Sequence, residues 1–339
     1  MNLMSKVKQV FIVGSSRSGT TMLGRILANN TSIFTFRELH FFGTLWGNNS
    51  NPGLTKKKQV NLLSRLFCIQ KYGLFNQKNY SSFHTKSKRL LEKDLASPIE
   101  IYKLFLETIT NENQADISCE QTPKNLYYLN EILQFFPSAR VIILVRDQRD
   151  VLLSQKNKWR RRFLGAKKIP LLEALRSFFN YHPILTAKVW SSDMSISIKY
   201  VDHAKVKIVK FEDVLSRSDN VLKDICNFLE IDFQENMLNI PLIGSSTEND
   251  TESRLIIDSS KINKWQHGGL LDGEIYLSQK ISYKMMDYYG YARKKFTIPP
   301  PSLFIYLLSF PLKLLFAFAF NIHRMVDILE VIRKRFFVK

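Results

Sequence analysis

Cysteine is scarce in this chain. Cys68, Cys119 and Cys226 are the only three in 339 residues, and they are isolated. An odd number with no C-x-x-C pair excludes a disulfide framework and a cysteine-built zinc site, and it fits a reducing compartment. Acidic residues are also short. Against 49 Lys and Arg stand 30 Asp and Glu, a formal charge of +19. That balance suits an anionic nucleotide, an acidic substrate, a nucleic acid or an anionic membrane surface. No aromatic-basic motif of the RNA-binding kind is present, so no nucleic-acid partner is expected. There is no internal repeat and no long low-complexity tract. No signal peptide precedes the first strand: residues 1–9 are short and polar, and a cytoplasmic location is expected.

The segment 10–21, VFIVGSSRSGTT, is the most informative one present. Val10-Phe11-Ile12-Val13 reads as a buried strand. Gly14 and Gly19 bracket a small polar loop, and an amphipathic pattern begins at Thr20. Strand, glycine-bounded turn and helix start make a phosphate cradle, where backbone N–H groups and the positive end of a helix dipole meet one anion. The frame matches a Walker A loop except for one residue. Thr20 stands where that loop has its lysine, so nothing reaches for the terminal phosphate of a nucleoside triphosphate. Arg17 lies inside the loop instead.

Further along, apolar runs at 32–36, 140–145 and 206–211 read as strands, and 99–109, 126–136, 150 onward, 171–190 and 220–229 read as helices, with Pro183 as a break. Strands alternating with helices predict an α/β fold of three layers, a central parallel sheet flanked by helices. Residues 46–97, rich in Asn, Lys and Ser, read as an insertion that covers a substrate cleft. A second anion site is expected at the end of the 140–145 strand. Arg146 offers a permanently charged planar fork there, and Ser154 offers a hydroxyl eight residues on.

These residues resemble the sulfotransferase superfamily that uses 3′-phosphoadenosine 5′-phosphosulfate (PAPS). Arg17-Ser18-Gly19-Thr20-Thr21 is similar to its 5′-phosphosulfate loop in the protein-tyrosine and carbohydrate branch. Val145-Arg146-Asp147, with Arg149, Asp150 and Ser154, is similar to its 3′-phosphate element. Lys210-Phe211-Glu212-Asp213-Val214 and Ile262-Asn263-Lys264-Trp265 resemble two weaker family segments. The resemblance runs over about 10–291. It implies PAPS as donor, no metal, and a hydroxyl acceptor on a glycan, glycolipid or related molecule. It also implies that Arg17, Ser18, Gly19, Thr20, Thr21, Arg146, Ser154 and Lys264 hold the donor, with Arg17 also stabilising the leaving phosphate. Glu38 stands where the tyrosine-type enzymes place their catalytic base, and His40 is the rival. A glutamate raised by a partly dry cleft would suit that role. The family's lysine before Thr-Pro is replaced by Gln121, with Lys124 nearby. A P-loop kinase or NTPase remains the rival enzyme, and a nucleotide-binding membrane protein the non-catalytic one.

Composition changes at Thr297. Three prolines precede 302–322, a run with 13 Leu, Ile and Phe, one charge at Lys313, and Pro311 near its middle. A basic amphipathic pattern follows over 325–339. A spanning helix, a re-entrant wedge and a helix lying on the membrane all fit, as does a helix packed on the catalytic domain.

Overall fold

A computed structural model of the chain describes residues 8–47, 53–91, 97–164, 169–239, 241–242, 251–255 and 257–321. It opens with β1 (Lys8–Gly14), α1 (Thr20–Ala28) and β2 (Ile33–Thr35). Three helices follow: α2 (Lys56–Tyr72), α3 (His84–Leu90) and α4 (Pro98–Glu112). The chain returns through β3 (Ile117–Glu120), α5 (Leu129–Phe135), β4 (Arg140–Val145) and α6 (Gln148–Lys156). Next come α7 (Leu171–Phe179), α8 (Pro183–Ile198), β5 (Val206–Lys210), α9 (Phe211–Ser216) and α10 (Ser218–Leu229). A small antiparallel pair, β6 (Pro241–Leu242) and β7 (Thr251–Leu255), precedes α11 (Asp272–Tyr288) and α12 (Ser302–Ala319).

Five strands form one parallel sheet in the order β2-β3-β1-β4-β5. Its central strands are apolar at nearly every position because both faces are covered. Phe11, Val13, Val141 and Ile143 face one core with Leu63, Phe67, Phe105 and others from α2 and α4. Val10, Ile12, Ile142 and Leu144 face the other with residues of α1 and α10. A third cluster joins Val145, Trp190, Met194 and Met286 beneath α6, α8 and α11. This is the expected three-layer α/β architecture. Strand order reverses beside β1, so the C-terminal ends of β1 and β4 border a crevice suited to a ligand.

The elements differ from expectation where local pattern is weak. β3 carries Ser118 and Glu120 among four residues and has no apolar run, yet it is buried because it lies between β1 and β2. The pattern over 171–190 divides into two helices at the break expected at Pro183. Pro183 takes the first position of α8, and His182 caps it by accepting from Ile184 N at 3.3 Å. The segment 126–136 begins as a 3₁₀ turn before α5. The three cysteines are buried free thiols.

At the C-terminus, α12 is long and apolar enough to cross a membrane by length and composition, and none of its residues is buried. The basic amphipathic pattern at 325–339 lies outside the described residues.

Candidate active site

The loop between β1 and α1 is shaped by backbone that ordinary residues avoid. Gly14 has φ +151°, and a Cβ there would lie 2.3 Å from the Leu144 carbonyl oxygen of β4. Gly19 has φ +97°, and its Cβ would meet the Phe211 ring at 2.3 Å. Ser18 N donates to Ser15 O at 3.1 Å, which closes the turn. The first amides of α1 have no carbonyl of their own helix to bond, which leaves them available to an anion. Arg17 takes φ +75°, a costly conformation for a side chain of this size.

That conformation carries Arg17 to the second element. Its Nε donates to Ser154 Oγ on α6 at 2.9 Å. Arg146 Nη1 donates to Arg17 O at 3.3 Å, and Gln155 Nε2 to Ser16 O at 3.5 Å. The two motifs, more than a hundred residues apart, therefore form one site. Arg146 is itself held from several sides. Nη2 donates to Lys261 O at 3.2 Å, the guanidinium lies 4.2 Å from the Phe211 ring centre, and Asp150 Oδ2 is 3.9 Å away. Its Nε is buried with no partner, as is the hydroxyl of Ser18. Buried polar atoms without partners are uncommon, and these two fit the oxygens of a phosphate.

Beneath, a buried network fixes the start of α6. Asp147 caps the helix by accepting from Arg149 N at 2.8 Å and pairs with the Arg149 guanidinium at 2.6 Å. Glu212 accepts from Asp147 N at 2.8 Å and from Tyr291 Oη at 2.9 Å. Trp265 is a core aromatic: its ring lies 3.9 Å from the Arg149 guanidinium, and its N donates to Asp150 Oδ1 at 2.9 Å.

Glu38 and His40 follow β2. His40 Nε2 and Glu38 Oε2 are 3.2 Å apart, and His40 takes φ +51°. His40 N donates to Thr122 Oγ1 at 3.3 Å; Thr122 in turn donates to the buried Glu120, which also accepts from Leu39 N at 3.3 Å and from Asn125. Burial drives the Glu120 carboxyl up to about 7 despite these bonds. Glu38 behaves in the opposite way, and the expectation of a raised carboxyl there is corrected. Burial pushes it up, but the His40 hydrogen bond and the charges of His40, Lys158 and Arg17 outweigh it, so it lies below the usual carboxylate value. The side chain keeps 41% of its surface exposed.

Gln121 brings a hydrogen-bond donor and no charge to its position. Gln121 Nε2 donates to Phe36 O at 3.3 Å and packs against Gly24 of α1, and Lys124 is exposed. A cation that motif reading missed is Lys158. Burial first, then repulsion from Arg17, lowers its amine to about 8, with Glu38 opposing. Burial, Arg161 and Arg146 likewise hold Arg17 below its ordinary value, although a guanidinium keeps its charge. No motif marked it in the sequence: Lys158 lies beyond the end of α6, at the start of a 3₁₀ turn over Lys158–Phe163. Thr20 is buried and Thr21 half-buried at the start of α1. Lys264 lines a basic cavity of about 410 Å³ with Leu153, Lys156, Arg160 and His267, and its neighbour Trp265 ties this segment to Asp150 beside Arg146.

Comparison with curated protein sequences finds no match. Among solved structures, the sulfotransferase domain from the curacin biosynthetic pathway superposes with a TM-score of 0.53 at 18% identity. That match covers 85% of this chain and 99% of that one. The sulfotransferase domain from the Synechococcus PCC 7002 olefin synthase gives 0.52 at 19% identity, over 85% and 96%. At such identities these likenesses carry the fold. The sulfotransferase family model matches residues 9–235, spanning both β1–α1 loop and β4–α6 element. This chain belongs to the sulfotransferase family.

Proposed function

We propose that this protein transfers a sulfonyl group from PAPS to a hydroxyl, giving PAP and a sulfate ester, and that it does so at the β1–β4 crevice. The observation that carries this reading is the Arg17 to Ser154 hydrogen bond, which makes the loop and the Arg146 element one two-phosphate site. The 5′-phosphosulfate fits the loop amides, Ser18, Thr20, Thr21 and Arg17. The 3′-phosphate fits Arg146 and Ser154, and Lys264 adds a further cation, since its neighbour Trp265 is bonded to Asp150 beside Arg146.

The donor supplies an activated sulfonyl group. In the transfer, the acceptor oxygen forms the new S–O bond while the bond from sulfur to the phosphate oxygen breaks. Glu38 takes the acceptor proton. Its lowered value makes it an available carboxylate at neutral pH, a weaker base than a raised one but already deprotonated. His40 orients it and is the alternative acceptor of the proton. Arg17 and Lys158 stabilise the charge that gathers on the leaving phosphate. In this reading Lys158 takes the place of the lysine lost at Gln121.

No metal ion and no nucleic acid enter this reading. The acceptor hydroxyl belongs to a glycan, glycolipid or related molecule, and the protein works on the cytoplasmic side, associated with a membrane through its tail. Within 46–97, Gln70 of α2 accepts from Arg37 N at 3.0 Å, next to Glu38, and that contact supports an acceptor-covering role. Calorimetry tests the central claim. PAP is expected to bind in preference to ATP with Mg²⁺, and preference for ATP would overturn it.

A further inference from the structure

We propose that α7 and α12 together form a platform that lies in the plane of an anionic lipid bilayer, with the donor loop at its edge. This deepens the membrane association above and rests on that reading.

Four apolar residues of α7, Leu171, Leu172, Leu175 and Phe178, fall at the spacing of one helix stripe and are exposed, Leu172 by 61%. On α12 the exposure is wider, reaching 83% at Leu308. The two helices touch. Phe179 stacks with Phe320 at 5.0 Å between ring centres and meets Phe316 at 4.9 Å. Lys313 Nζ lies 4.3 Å from the Phe178 ring centre and donates to Phe178 O at 3.3 Å. A joint apolar surface of this kind marks an interaction site.

The way α12 is tied selects its orientation. At its start, Ser302 Oγ accepts from Gly273 N of α11 at 2.8 Å. One turn on, His182 Nε2 donates to Tyr306 O at 3.0 Å. At its far end, Asn321 donates to Asn180 at 2.7 Å and accepts from Arg176 at 3.3 Å. A helix of 18 residues, about 27 Å long, that is bound to the same protein body at both ends cannot cross a bilayer without releasing one of them. It lies flat, as interfacial helices do.

Charge selects the bilayer as occupant. Directly before α7 in the sequence, residues 160–168 hold five Lys and Arg and no Asp or Glu. Basic residues beside an apolar face attract anionic lipid. The residues just before that stretch link platform to chemistry. Trp159 packs edge-on against Phe178 at 6.1 Å, four residues after Gln155, whose Nε2 donates to Ser16 O of the donor loop at 3.5 Å. A hydroxyl at headgroup depth would therefore meet the donor loop.

The full-length chain is to be sedimented with vesicles of phosphatidylcholine and with an equimolar mixture of phosphatidylcholine and phosphatidylglycerol. Stronger capture by the anionic vesicles, weakened by salt, is expected. In L171E/L172E/L175E, with α12 intact, partition should fall by about tenfold or more, since three apolar contacts are lost. PAP affinity, measured on the same samples, should hold and so report an intact fold and donor site. Fluorescent labels on L308C and L315C should be quenched at similar, shallow depths. Four results would overturn the platform: no vesicle binding with PAP binding intact, undiminished binding by the triple variant, labels at widely different depths as in a spanning helix, or dimerisation through this face in place of vesicle binding. Loss of PAP binding by the wild-type chain would instead strike the sulfotransferase reading.

Discussion

Lys158→Met removes a charge while keeping a chain of similar length, and its effect can be worked from the site. Burial and Arg17 hold the amine near 8 against an ordinary 10.5, a gap of 10.5 − 8 = 2.5. At about 1.36 kcal/mol per pKa unit, restoring the ordinary value in the complex couples to PAP binding by at most roughly 3.4 kcal/mol. The sign follows. Below pH 8 the free protein already carries the proton, so affinity is flat. Above 8 the free protein has lost it and PAP must draw it back, so affinity falls as pH rises toward 10.5. The unliganded chain behaves in reverse. Its folded state binds fewer protons than the unfolded chain between 8 and 10.5, so its stability rises with pH across that window. The full coupling would give a fall of about twentyfold in PAP affinity between pH 7.5 and 9.5; partial exposure of the site reduces it, and about fivefold to fifteenfold is expected. Calorimetry in two buffers of different ionisation enthalpy counts the protons taken up. Lys158→Met should bind PAP about tenfold to a hundredfold more weakly at pH 7, with a flat profile. Lys158→Arg should keep most of the affinity and also flatten the profile. Wild-type affinity and pH dependence in Lys158→Met would refute the reasoning.

Glu38→Gln should lower turnover by about a hundredfold or more with PAP affinity little changed, whereas His40→Ala should cost less; an inverted order would move the base to His40. Gly14→Ala forces a Cβ onto a β4 carbonyl at a strained φ, so thermal unfolding should drop by several degrees and PAP binding should weaken; an unchanged melting curve would contradict the close approach of β1 and β4.

The sequence by itself determined the parts whose physics is local. Apolar runs long enough to be buried on both faces announced β1, β4 and β5. Two glycines around a short polar turn announced the phosphate loop, and Thr20 in place of lysine turned it away from a triphosphate. Tertiary structure decided what depends on contacts across the chain. β3 is a strand because β1 and β2 lie on either side of it, a fact that Ser118 and Glu120 conceal in one dimension. Glu38 is pulled down by its near neighbour His40 and also by Lys158 and Arg17, charges that lie far from it along the chain. Lys158 comes within electrostatic reach of Arg17 and Glu38 only because the fold brings the segment after α6 to the β1–α1 loop. The apolar tail was legible as a membrane candidate, but its lie along α7 follows from hydrogen bonds at both of its ends. Local pattern records what one segment must bury; which groups meet over it is set by the fold that buries them.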